Sequence, residues 1–73
     1  MKTPKEKEKE KAKELVDRFL NMEFGIFKEY LPNHIIIAKQ SALICVDEIL
    51  DAVEDVYKLY DFWYEVKQEI KKL

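Results

Sequence analysis

The chain has 73 residues and a net charge of −2; 48% of its residues are hydrophobic and 38% are charged. One domain is the most this length supports, and the slight negative charge removes the basic footprint that a DNA-binding domain needs. No apolar run approaches the roughly 20 residues of a membrane span, and the charged segment Met1 to Lys13 has no apolar stretch of the kind a signal peptide carries.

With one glycine, two prolines and few serines or threonines, the composition is that of amphipathic helices joined by short connections. Residues 1–73 therefore read as a single helical domain. The first helix announces its start. Thr3 stands at the N-cap, Pro4 at the first helical position and Glu6 at the third, a capping box with proline where its missing N–H does no harm. Residues 1–11 are the charged helix start, and within them Lys5 to Lys11 alternate in sign. Opposite charges fall three apart and like charges four apart, so pairing nearly cancels and this start is expected to be solvated and frayed. Ala12, Leu15, Val16, Phe19 and Leu20 then form one apolar stripe. Gly25, the only glycine, is the natural stop.

Residues 22–33 form a variable connection. Phe24, Ile26, Phe27, Tyr30 and Leu31 are too apolar for a solvated loop, and either a kinked continuation or a short helix fits them. Pro32 breaks that pattern.

The second helix is expected from Pro32 or Asn33 to about Tyr57 or Leu59, which makes it the long central element of an all-α hairpin or three-helix unit. Its main stripe reads Ile35, Ala38, Ala42, Cys45, Ile49, Ala52 and Val56, with Ile36, Leu43, Leu50 and Tyr57 beside it. Ile37 and Ile44 lie on yet another side. A surface helix needs only about 100° of apolar arc, and the first half of this one has far more. The third helix is expected to start near Asp61 and to bury Phe62, Trp63, Val66, Ile70 and Leu73, with Lys67, Lys71 and Lys72 at the negative end of its dipole.

Chains shorter than roughly 70–80 residues generally need a disulfide, a metal or a partner subunit. One cysteine and one histidine supply neither an internal disulfide nor a four-ligand zinc site. Self-association is left, and it is expected on the apolar half of the second helix, at Ile35, Ile36, Ile37, Leu43 and Ile44. With a free thiol and no export signal, a reducing cytoplasm is the expected location.

Ala38 to Leu50 (AKQSALICVDEIL), followed by Trp63 to Ile70 (WYEVKQEI) and preceded by Lys11 to Val16 (KAKELV), resembles a family of small uncharacterised proteins of bacteriophages and Bacteroidetes prophages. The family pattern reads KAKELV, AKQCALIAVDEIL and YWxEVKQEI. The resemblance covers most of the chain outside the segment Met22 to His34. Here Ser41 and Cys45 stand where the pattern more often has cysteine and alanine, which argues against a catalytic cysteine at either place. It implies a phage setting, hence a host cytoplasm, and no mechanism.

No nucleophile–base–orienter set or glycine-rich phosphate loop is present, so the chain does not read as an enzyme, and neither catalytic residues nor a cofactor is expected. Asp47, Asp51, Glu54 and Asp55 share one helix face. Carboxylates so spaced can hold a cation, but more often they are a solvated face, and no metal is expected. Cys45, on the apolar stripe without a histidine neighbour, reads as a buried inert thiol. His34 either helps hold an anion at a helix N-terminus or is an exposed first-turn residue. Lys39 and Gln40 interrupt the apolar half of the second helix, where they suit a phosphate and a base, or a snorkelling lysine and its neighbour. Tyr60 and Trp63, with Tyr57, Phe62 and Tyr64, supply rings for stacking or for plain packing. Together these give a candidate ligand set of His34, Lys39, Gln40, Tyr60 and Trp63. The expected function is counter-defence: a homo-oligomer that sequesters a nucleotide immune signal, such as a cyclic nucleotide, in pockets between subunits. A protein-binding inhibitor and a structural or assembly protein are the alternatives.

Overall fold

The computed structural model describes residues 4–26 and 29–73, with side chains from Glu6 onward. Thr3, the expected N-cap, and Phe27 lie outside the described residues. Three helices account for most of the chain: α1 (Pro4–Phe24), α2 (Pro32–Ala52) and α3 (Tyr57–Lys72). Each packs against the other two, and no strand occurs among the described residues.

α1 buries the stripe its periodicity predicts. Ala12, Leu15, Val16 and Leu20 are in the core, with Phe19 packed at its edge. Burial extends further back than the charge pattern suggests, because Glu8 is also buried within the alternating stretch. α1 ends at Phe24, and Gly25 follows in a turn. A Cβ at position 25 would collide with the backbone carbonyl of Asn21, which cannot move without unwinding the last turn. Gly25→Ala is therefore expected to cost about 1–3 kcal/mol, as overpacking does, read as a lowered thermal midpoint at unchanged helix content.

The way into α2 is held by side chains. The Tyr30 hydroxyl donates to Asn21 Oδ1 at 2.6 Å, and the Ser41 hydroxyl donates to Glu23 Oε1 at 2.9 Å. Leu31 is the N-cap, in extended backbone, and Pro32 occupies the first turn as expected.

α2 is shorter than its apolar pattern suggests. It ends at Ala52, not near Tyr57 or Leu59, and with 21 residues it matches α1 in length. The Val53 N–H closes the helix on the Ile49 carbonyl at 3.0 Å, and the Val56 N–H bonds the Val53 carbonyl at 2.9 Å. Electrostatics explains the site of the break. Asp51, Glu54 and Asp55 oppose the negative end of a continuing helix, and α2 has no basic residue in its last turn. Immediately before α3, Glu54 and Asp55 instead meet the positive end of that helix's dipole. The N-cap of α3 is Val56, so Asp61 lies inside the helix and caps nothing.

The buried row of α2 is also rotated from the expected stripe. His34, Ala38, Ala42, Val46 and Leu50 face the core at every fourth position. Ile35 is 40% exposed, Cys45 and Ile49 are half-buried, and Ala52 is exposed. An i, i+4 row is a natural helix-packing ridge, and Ala38 and Ala42, both fully buried, present the least bulk toward α1 and α3. α3 contributes Val66 and Ile70 to the core. Phe62 and Trp63 pack at its edge, in edge-to-face contact at 5.3 Å, while Leu73 is exposed.

Candidate binding surfaces

The N-terminal half of α2 has two sides. Its alanine row is covered by the other helices. Its outer side carries Ile36, Ile37 and Ile44, exposed by 54%, 43% and 65%, with exposed Gln40 among them. Ile35 borders this group, and Leu43 is half-buried next to it. Four of the five residues expected at a subunit contact thus lie open in the protomer, and the fifth is partly covered. Large aliphatic side chains clustered in this way leave a contiguous apolar patch in water. Lys39 is half-buried at the margin of the patch.

His34 has a structural task. It is buried, its ring stacks on Phe24 at 4.2 Å, and its Nδ1 accepts the Leu31 N–H at 3.1 Å. In return the His34 N–H donates to the Leu31 carbonyl at 2.9 Å. The side chain closes the N-terminus of α2 against the end of α1, and is not the exposed first-turn residue that its position suggests.

Tyr60 and Trp63 belong to the other end of α2. A bridge from Lys67 Nζ to Asp47 Oδ1 at 2.8 Å sets α3 back along α2, and the first turns of α3 lie beside the acidic half. There Tyr60 stacks loosely on Tyr64 at 6.4 Å and lines a cleft with Asp47, Leu50, Asp51, Glu54 and Lys67. Trp63 is turned into the core margin. The structure brings Lys39 and Gln40 together beside the isoleucine patch, and separates them from Tyr60 and Trp63. His34, Lys39, Gln40 and Trp63 do not line the Tyr60 cleft.

The acidic face of α2 is partly engaged within the protomer. Asp47 is spent on Lys67, and no group of three or more metal-ligating side chains occurs among the described residues. Cys45 is half-buried and unpaired, more open than a core thiol. The hydrogen bond from Asp47 raises the Lys67 pKa above the ordinary lysine value, with the Asp47 charge adding to it. Its protonated form is therefore favoured by folding. The added stability is complete below the unfolded-state pKa of about 10.4 and is lost as the pH rises through the higher folded-state value. Thermal melts above pH 10 are expected to fall more steeply for the parent protein than for Asp47→Asn. The difference should be small and reduced by salt.

One polar group stands out that no periodicity signals. Glu69 is only 3% exposed, and its Oε1 has no hydrogen-bond partner among the described residues. It lies in a cleft between α1 and α3 with Lys9, Lys13, Lys72 and Leu73. In sequence it is one more glutamate on an amphipathic helix, and only the packing of α3 against the start of α1 distinguishes it. No helix among the described residues is long and apolar enough to cross a membrane. Comparison with protein-family models, curated proteins and solved structures finds no match to this chain.

Proposed function

We propose that this chain is a non-enzymatic binding protein that works as a homo-oligomer, with the outer face of α2 as the subunit contact. The observation that carries this is the exposed group Ile36, Ile37 and Ile44 on a helix whose opposite side is already buried. Charge favours a second copy as the cover. From Pro32 to Val46 the helix carries no acidic residue and a single lysine, whereas Asp47 to Asp55 carries five acids. Two copies meeting through the first segment about a two-fold axis bury apolar surface against itself and keep the acidic segments apart.

The ligand proposed for it is a nucleotide immune signal, sequestered where Lys39 and Gln40 border that contact. A protein that withholds a signal needs affinity and no catalytic group. Calorimetry with cyclic dinucleotides, cyclic trinucleotides and cyclic ADP-ribose isomers tests this. Micromolar or tighter binding of one of them is expected, and no heat with any of them at micromolar concentration would remove the sequestration role while leaving self-association standing.

One observation favours a second function, inhibition of a host or defence enzyme. Val56, Tyr57, Leu59, Tyr60 and Tyr64 are exposed around the α2–α3 turn, and a contact through the N-terminal half of α2 leaves them open. Aromatic residues in such a cluster suit a protein partner. A chain that stays monomeric would shift the balance to this second function.

A further inference from the structure

The cleft between α1 and α3 combines two features that ask for the same ligand. One of its lining side chains is a carboxylate that is almost wholly buried, with one oxygen, Glu69 Oε1, lacking a hydrogen-bond donor among the described residues. Lys9, Lys13 and Lys72 line the same cleft. Of these, Lys72 contacts the other Glu69 oxygen, Oε2, at 3.4 Å, a long distance for an ion pair. Among the described residues, Lys9 and Lys13 have no ion-pair partner. Among the described residues, three ammonium groups against the Glu69 carboxylate leave the cleft positive, yet the atom there without a partner is an acceptor. A simple anion satisfies the lysines and leaves Glu69 unsatisfied. A simple cation does the reverse. A ligand that carries both an anionic group and an N–H donor satisfies both.

We propose that this cleft binds a nucleoside monophosphate whose base carries an exocyclic amine. Its phosphate lies among Lys9, Lys13 and Lys72, and its amine donates to Glu69 Oε1. Exocyclic amines of adenine and cytosine are donors of this kind, and a carboxylate is the usual acceptor for that of cytosine. The cleft, about 290 Å³, is at the small end of ligand pockets, which favours a mononucleotide over a larger compound. Lys72 is 64% exposed, so its side chain is free to adjust to a ligand. The cost of keeping Glu69 half-satisfied in the free protein is what a binding site imposes on a small core. The site is built within one protomer, apart from the α2 face, and does not depend on self-association.

Amide-resolved NMR titration of the full chain tests this, with adenosine 5′-monophosphate, purine riboside 5′-monophosphate, adenosine and inorganic phosphate as probes. Adenosine 5′-monophosphate is expected to shift the amides of Lys9, Lys13, Glu69 and Lys72. Purine riboside 5′-monophosphate, which lacks the amine, should bind roughly tenfold more weakly, the effect of leaving a buried acceptor unpaired. Adenosine and phosphate alone should each bind more weakly than the intact nucleotide. Glu69→Met, which fills the same space without an acceptor, should abolish the preference for the amine and raise the thermal midpoint. Glu69→Gln, which keeps an acceptor oxygen, should retain part of the preference. Equal affinity for the nucleotide and for phosphate reveals an ionic patch only and overturns the proposal. So does an amine preference that survives in Glu69→Met, or no shift at these amides up to millimolar nucleotide.

Discussion

Ile44→Glu is expected to turn the oligomer into a monomer while leaving the protomer folded. Ile44 is the most exposed of the three isoleucines on the outer face of α2, at 65%, so it contributes little to the protomer's own core. A glutamate there is solvated in the monomer and destabilises only an assembly in which position 44 is buried. Across a two-fold contact the change is made twice, and two carboxylates would face an apolar surface with no counter-charge. Truncating a hot-spot side chain of a contact costs about 2 kcal/mol or more, and burying an unpaired charge costs several kcal/mol. The sum is a loss of at least about a thousandfold in association constant, since each 1.4 kcal/mol is tenfold. Ile37→Glu should behave alike. Sedimentation velocity at matched concentrations, with circular dichroism to confirm the fold, reads the outcome. An unchanged sedimentation coefficient would move the contact away from this face.

The largest effect on the protomer itself is expected at Ile70. Its side chain is among the largest fully buried ones, and it lies one residue from Glu69 on α3. Ile70→Ala removes packing that α1 and α2 cannot close over, and such substitutions cost about 2–5 kcal/mol. A folded domain has roughly 0.05–0.15 kcal/mol per residue in hand, so a chain of 73 residues loses a large part of its stability. Neighbouring positions are then expected to answer in opposite directions: Ile70→Ala unfolds the protein at much lower urea, while Glu69→Met resists urea better than the parent. A loss for Ile70→Ala within 0.5 kcal/mol would mean that α3 is not docked as described.

Much of the fold is legible in the residues, for identifiable reasons. Pro32 marks the first turn of α2 because its missing N–H is harmless there, and Gly25 marks the end of α1 because any larger side chain meets the Asn21 carbonyl. The stripe of α1 is unambiguous because its other faces are charged. α2 offers no such contrast. With isoleucines on most sides of its first half, periodicity alone does not select the row that faces inward, and the choice of His34, Ala38, Ala42, Val46 and Leu50 is made by how closely α1 and α3 approach. The turn at Val53 to Val56 contains neither glycine nor proline, and valines and acids so placed fit a helix pattern until the dipoles of two helices are considered together. His34 changes meaning for a similar reason. Its role as a cap stacked on Phe24 depends on where α1 ends. The open isoleucine patch was predictable as an excess of apolar surface. The Glu69 cleft was not, since it depends on the start of α1 and the end of α3, which are distant in sequence and joined only by packing.

Native mass spectrometry of the protein purified under mild conditions addresses self-association most directly. An ion series at a whole-number multiple of the 8.8 kDa chain, collapsing to a single chain in Ile44→Glu, is the expected result. A single chain of 8.8 kDa throughout the micromolar range would contradict it.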